Sequence, residues 1–200
     1  MTDYFALLDE PRRPWLDADL LKQKFLTLSA SNHPDKIQSA NELDKQAAGK
    51  KFAELNAAYH CLAAPKSRLL HLLELEQGAK PKDIQQIPAT LANLFAEVAS
   101  VCREADHFLA EKAKTVSPLL QASLFERAQE WVDRLNGLQK KLGGFHNELV
   151  ENLKLLDTQW VGDRSNHPAL LNEMENLYRL FSYFNRWSAQ IQERIVRLSL

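Results

Sequence analysis

Apolar side chains recur every three or four positions along almost the whole chain, which is the spacing of one face of an α-helix. In the first part of the chain, this spacing predicts a helix that Asp17 caps and that runs toward Asn32. A longer helix is predicted over 43–63, and a short one over 66–77, where Gly78 provides a stop. The N-terminal part is therefore expected to be helical throughout.

The repeat is more regular after residue 88, where three long amphipathic helices are predicted. The second of them begins at Ser117-Pro118, and the third begins near His167-Pro168. Gly143-Gly144 interrupts the stripe of the second helix and is expected only to bend it. Three such helices with short connections predict an antiparallel bundle. Residues 79–88, with two prolines and two lysines, are expected to link a unit at 1–78 to the bundle at 89–200.

Composition narrows the range of functions. The chain has 200 residues, 45% of them apolar, and its 25 Lys and Arg nearly cancel its 26 Asp and Glu. Because nucleic-acid binding needs a basic footprint, no such partner is expected. Cys61 and Cys102 are isolated, which favours a reducing compartment over a disulfide framework. The N-terminus lacks the features of a signal peptide and no apolar run is long enough to span a membrane, so a cytoplasmic protein is expected.

One motif stands out against this background. His33-Pro34-Asp35 lies between the first two long helices, where proline disfavours a helical conformation for the residue before it. Tyr4-Phe5 precedes it, and Lys36 follows directly. Further on comes the pattern Leu-Asn-Ala-Ala-Tyr-x-x-Leu-x-x-Pro-x-x-Arg at 55–68. By itself, such a tripeptide is merely a turn. The whole arrangement, however, resembles the J domain, whose signature is a short first helix and an antiparallel helical pair joined by this tripeptide.

The resemblance implies a binding partner, a seventy-kilodalton heat-shock chaperone of the HscA or DnaK kind. In that family the loop and the second helix bind the ATP state of the chaperone. Asp35 would pair with a chaperone arginine, and His33 and Pro34 would shape the loop. Basic residues would meet an acidic groove on the chaperone; these are Lys22, Lys24 and Lys36. Because residues 28–32 lack the basic and aromatic side chains of many relatives, weaker electrostatic steering is expected.

Within J proteins, the chain resembles the HscB family of iron–sulfur cluster co-chaperones. The opening Asp3-Tyr4-Phe5, the later Trp15-Leu16-Asp17 and the segment 68–78 carry the resemblance, which is architectural from residue 88 onward. It implies a fold that is all-α, with an N-terminal J-domain hairpin and a C-terminal three-helix bundle. It also implies an IscU-like scaffold as client.

The family's client patch maps onto the first and last helices of the bundle. The matching residues here are Leu94, Phe95, Val98 and Leu180. The alternative is that all four are ordinary core residues. The family's acidic run on the first helix is reduced to Glu97, Glu104 and Asp106, so a related J protein with a different client fits nearly as well.

No other chemistry is indicated. The sequence has no phosphate-binding loop, no triad pattern and no histidines at metal-ligand spacing, so no enzyme activity, metal or cofactor is expected. The protein is predicted to regulate a chaperone ATPase. A helical adaptor whose J-like region has lost this activity is the alternative, and the intact His33-Pro34-Asp35 argues against it.

Overall fold

The structure, a computed structural model, describes residues 2–32, 42–81, 88, 91–115, 118–162 and 167–199, and most of these residues are helical. These residues contain no β-strand, and the predicted all-α class with a J-domain hairpin and a three-helix bundle is confirmed. The helices are α1 (Tyr4–Leu7), α2 (Ala18–Ser31), α3 (Glu42–Ala63), α4 (Pro65–Gln77), α5 (Ala92–Lys114), α6 (Pro118–Val161) and α7 (His167–Ser199).

The predicted helix ends are set by local chemistry. The Asp17 carboxylate accepts hydrogen bonds from the backbone N–H groups of Asp19 and Leu20, both at 3.0 Å, and so satisfies two donors that the first turn leaves free. Pro65 separates α3 from α4 and is the first residue of α4. At the other end of α4, Gly78 adopts a left-handed conformation with φ 72°, which a residue without Cβ enters readily.

The longest helix crosses the predicted weak point without a break. α6 is continuous through Gly143-Gly144 although each glycine destabilises a helix interior by about 1 kcal/mol relative to alanine. Leu142 and Leu149, which flank the pair, are both buried. Burying a leucine side chain contributes roughly 1.5–3 kcal/mol, which is enough to offset the glycines. Packing therefore decides the conformation here, and the predicted helix start at Pro118 is confirmed.

The chain divides into two compact units. The N-terminal unit comprises Met1–Lys82 and Val150–Arg179, and the bundle unit comprises Asp83–Leu149 and Leu180–Leu200. The C-terminal end of α6 and the N-terminal part of α7 thus group with the J domain in the N-terminal unit. The predicted boundaries at 1–78, 79–88 and 89–200 assign those ends to the bundle, and they stay a prediction.

The bundle unit is arranged as three alternating helices. Glu97 of α5 pairs with Lys141 of α6 at 2.7 Å, whereas Glu111, further along α5, pairs with the earlier Arg127 at 2.9 Å, so α5 and α6 are antiparallel. α7 runs parallel to α5, because its contacts advance along both helices. Phe95 lies beside Trp187, Asp106 binds Arg194, and Lys112 donates to the Leu198 carbonyl. The predicted antiparallel bundle is confirmed.

Candidate functional site

The loop between α1 and α2 is fixed in the N-terminal unit by a buried arginine of α4. Arg68 is 4% exposed, and it donates from Nε to the Pro14 carbonyl at 2.7 Å and from Nη1 to the Leu62 carbonyl at 2.5 Å. Burial lowers the pKa of Arg68 to about 10, which still leaves the group charged at neutral pH. Both carbonyl oxygens would be without a partner if the guanidinium were removed. Arg68 therefore ties the loop to the end of α3.

A second anchor for the same loop comes from α6. Asp157 is 3% exposed, accepts both hydrogen bonds of the Arg13 guanidinium, and accepts the backbone N–H of Trp15 at 3.1 Å. Hydrogen bonding to Asp157 raises the pKa of Arg13. Trp160, one turn further along α6, donates from Nε1 to the Arg12 carbonyl at 3.0 Å. The residues just before α2 are thus held by polar contacts from α4 and α6.

His71 holds the first helix of the J domain. Its Nε2 accepts the backbone N–H of Tyr4 at 3.1 Å, and its ring stacks on Tyr4 and Phe5 with centroids 4.6 and 5.8 Å away. Since Nε2 accepts a hydrogen bond, the proton of the neutral ring is on Nδ1. Burial lowers the pKa of His71 below 6.5, because the imidazolium would lose its hydration and the Tyr4 N–H would face a second donor.

This arrangement predicts a pH-dependent stability of the N-terminal unit. The unfolded state binds a proton on His71 more tightly than the folded state does, so the stabilisation is complete above about pH 6.5 and declines as the pH falls below that value. We expect the urea midpoint to fall from pH 7.5 to pH 5.5 more in wild type than in His71→Gln, which has no titrating ring. His60→Gln, at an exposed position of α3, is the control and should behave as wild type does. Equal pH dependence in all three proteins would contradict the assignment.

The predicted tripeptide site lies outside the described residues. His33, Pro34, Asp35 and Lys36 all fall in the sequence between the end of α2 at Ser31 and the start of α3 at Glu42. What the structure does describe is the hairpin on either side. Phe25 of α2 stacks on Tyr59 of α3, with ring centroids 4.4 Å apart.

The two lysines predicted on α2 do not share a surface. Successive helical residues turn by about 100°, so Lys22 and Lys24 point about 160° apart. Lys22 is exposed. Lys24 instead donates to the Asp9 carbonyl at 2.5 Å and pairs with Glu10 at 3.0 Å. It forms part of the wall of a pocket of about 560 Å³, together with Leu20 of α2 and with Trp15 and other residues of the α1–α2 loop. A chaperone that meets one side of α2 can therefore use only one of the two lysines.

The four predicted client residues differ in exposure. Val98 is 2% exposed and lies in the bundle core. Its position agrees with the alternative that a residue on the apolar stripe is an ordinary core residue. Leu94 and Leu180 are half-buried and pack against the same core. Phe95 is 41% exposed, and its ring centroid lies 6.2 Å from that of Trp187. Of the predicted patch, Phe95 is the side chain that protrudes.

The carboxylates that remain on α5 are engaged within the bundle unit. Glu97 and Glu104 pair with Lys141 and Arg134 of α6 at 2.7 and 2.8 Å. Asp106 pairs with Arg194 of α7 at 2.6 Å. The acidic character that the resemblance implies for this helix is therefore largely balanced by neighbouring cations.

The described ranges contain neither a candidate metal site nor a candidate membrane span. Their histidine, cysteine, aspartate and glutamate side chains do not gather into a group that could hold a metal ion. None of the helices, over the stretches that the structure describes, is both long and apolar enough to cross a membrane.

Comparison with known proteins gives consistent similarities. No family model matches the chain. Over 84 residues, it is 37% identical to the co-chaperone protein HscB homolog of Vibrio parahaemolyticus. The matched region makes up 42% of this chain and 48%, or about half, of the relative's length. The chain is 23% identical over 190 residues, 95% of both chains, to the HscB homolog of Shewanella loihica.

Solved structures extend the similarity to the whole fold. The chaperone HscB from Vibrio cholerae has a TM-score of 0.60 at 21% identity, with 96% of each chain covered. The human co-chaperone protein HscB has a TM-score of 0.58 at 20% identity, with 98% of this chain and 81% of the human one covered.

The helical hairpin, the caps and the bundle define an all-helical J-domain protein. The chain is thus similar in sequence to HscB co-chaperones and in fold to solved HscB structures, which confirms the predicted resemblance.

Proposed function

We propose that this protein is a co-chaperone that stimulates the ATPase of a seventy-kilodalton heat-shock chaperone and delivers a client to it. The observation that carries the proposal is His33-Pro34-Asp35, placed in the sequence between the two helices of a J-domain hairpin. Asp35 would form a charge-assisted contact with a chaperone arginine, and Lys22 would add an exposed cation on α2. The protein would thus change the rate of another protein's reaction without catalysing one.

The client that the relatives suggest is an iron–sulfur cluster scaffold of the IscU kind. Proteins named HscB co-chaperones are similar to this chain over its length, which supports the same role here. We assign client binding to the helices of the 89–200 segment, with Phe95 as the exposed apolar contact and Leu94 and Leu180 beside it. The J domain at 1–78 would contact an HscA- or DnaK-like chaperone in the cytosol.

The Asp35→Asn variant tests the chaperone half of the proposal. The substitution removes one charge and keeps the shape of the side chain, so the helical content should not change. We expect wild-type protein to raise the single-turnover rate of ATP hydrolysis by the chaperone, and the variant to lose this stimulation almost completely. Stimulation that survives unchanged in the variant would show that the tripeptide is not the contact.

The helical adaptor stays as a second candidate because of one observation. Lys24 is held by Asp9 and Glu10, so the described part of α2 offers less positive charge than the sequence implied. An adaptor of this kind would bind a client through the bundle and leave the ATPase rate of every chaperone unchanged, which the same assay measures.

A further inference from the structure

The two edges of α5 carry different charges. Glu97, Glu104 and Glu111 recur every seven residues and therefore lie almost in line along one edge. Each is paired with a cation of α6, at 2.7, 2.8 and 2.9 Å respectively. This edge faces α6, and its negative charge is matched residue by residue.

The edge of α5 that faces α7 lacks this acidic row. Phe95 projects about 160° away from Glu97 and lies beside Trp187 of α7. Further along the same edge, Asp106 is neutralised by Arg194, whose Nε also donates to the Cys102 carbonyl at 3.2 Å. The glutamate row of α5 and the exposed Phe95 therefore do not belong to one surface.

Two exposed arginines lie near Phe95, one on α5 and one on α7. Arg103 is exposed, about two turns along α5 and about 80° around the helix from Phe95. Arg186 is exposed and directly precedes Trp187, so it lies at the level of Phe95 on the neighbouring helix. Neither forms an ion pair with a residue in the described ranges. We call the surface formed by Phe95, Arg103, Arg186 and Trp187 the α5–α7 face.

We propose that the α5–α7 face binds a protein surface that combines apolar and acidic side chains. An apolar side chain of the partner would pack on Phe95 above the buried Trp187, and its carboxylates would meet the guanidinium groups of Arg103 and Arg186. This inference rests on the proposed client role and specifies the charge of the client's contact surface. It differs from the basic client that an acidic α5 would select.

The charge pattern has a kinetic and an ionic-strength consequence. Opposite charges at the rim of an interface speed association, and salt screens them over about 8 Å at physiological ionic strength. Affinity should therefore fall as salt is raised, while the contribution of Phe95 should not. Since Arg103 and Arg186 are exposed, reversing their charge should leave the fold intact.

Two probes test the proposal by fluorescence anisotropy with the full chain. The first is the purified apo scaffold of the IscU kind. The second is a pair of labelled helical peptides with one leucine-rich apolar face, flanked in one by glutamates and in the other by lysines. We expect the acidic peptide to bind at least tenfold more tightly than the basic one. Arg103→Glu and Arg186→Glu should each weaken the acidic peptide by roughly tenfold.

Lys140→Glu is the matched control, because it changes net charge equally at an exposed position of α6. The affinity of this control variant for the acidic peptide should stay within about twofold of the wild-type affinity. Equal binding of both peptides, preference for the basic one, or equal effects of all three reversals would overturn the inference. If the acidic peptide binds as expected and the scaffold does not, the proposed client is wrong and the chemistry of the α5–α7 face stands.

Discussion

Arg68→Met is expected to lower the free energy of unfolding of the N-terminal unit by about 3 kcal/mol. Methionine fills a similar volume but donates no hydrogen bond, so the buried carbonyl oxygens of Pro14 and Leu62 lose their partners. Each unsatisfied buried group costs about 1–3 kcal/mol. The removed charge is itself partly desolvated, as its lowered pKa indicates, and the gain from deleting it offsets some of this loss.

Urea unfolding followed by circular dichroism measures the effect. Arg127→Met is the control, because Arg127 is about half-exposed and pairs with a similarly exposed Glu111. Water screens such exposed pairs strongly, so the control should shift little. Arg68→Lys should fall between, since lysine keeps the charge but lacks the planar fork that reaches both carbonyls. A loss no greater than that of the control would show that Arg68 does not hold the loop.

Asp157→Asn is expected to destabilise the same unit by about 2–3 kcal/mol. The amide keeps the shape of the carboxylate and can still accept the Trp15 N–H, but it cannot neutralise Arg13. It also removes the negative charge that acts favourably on Arg68. The loss therefore comes mainly from electrostatics around the buried Asp157 carboxylate, where solvent screens its charge less than at the surface.

A double-mutant cycle separates the ion pair from other effects of the substitution. Arg13→Met, Asp157→Asn and the double variant should give a coupling energy of about 1–3 kcal/mol, in the range found for residues in direct contact. The exposed pair Glu97–Lys141 provides the comparison and should couple by less than about 1 kcal/mol. Additive losses for Arg13 and Asp157 would contradict the contact.

Local features of the fold could be predicted because their causes are local in sequence. Asp17 caps α2 through N–H groups two and three residues away, and Gly78 ends α4 through its own φ angle. By contrast, Arg13 and Asp157 are 144 positions apart, and no periodicity or motif in either segment indicates that they meet. For the same reason, the grouping of 150–179 with the J domain has no local signal.

The site residues show a second limit of sequence patterns. Val98 lies on the apolar stripe, and its burial follows from that position. Phe95 is one step off the centre of the stripe, which is why it protrudes at the edge. The opposite directions of Lys22 and Lys24 follow from helix geometry alone. The engagement of Lys24 by Asp9 does not, because it depends on how the α1–α2 loop folds back.

The measurement that tests the central claim most directly is single-turnover ATP hydrolysis by the candidate heat-shock chaperone, with and without the scaffold. Wild-type protein, Asp35→Asn and Phe95→Ala are compared at equal concentration. The account predicts stimulation by wild type with a further gain when scaffold is present, none by Asp35→Asn, and stimulation without the further gain by Phe95→Ala. A wild-type protein that leaves the hydrolysis rate unchanged, with and without scaffold, would contradict the co-chaperone assignment and favour the helical adaptor.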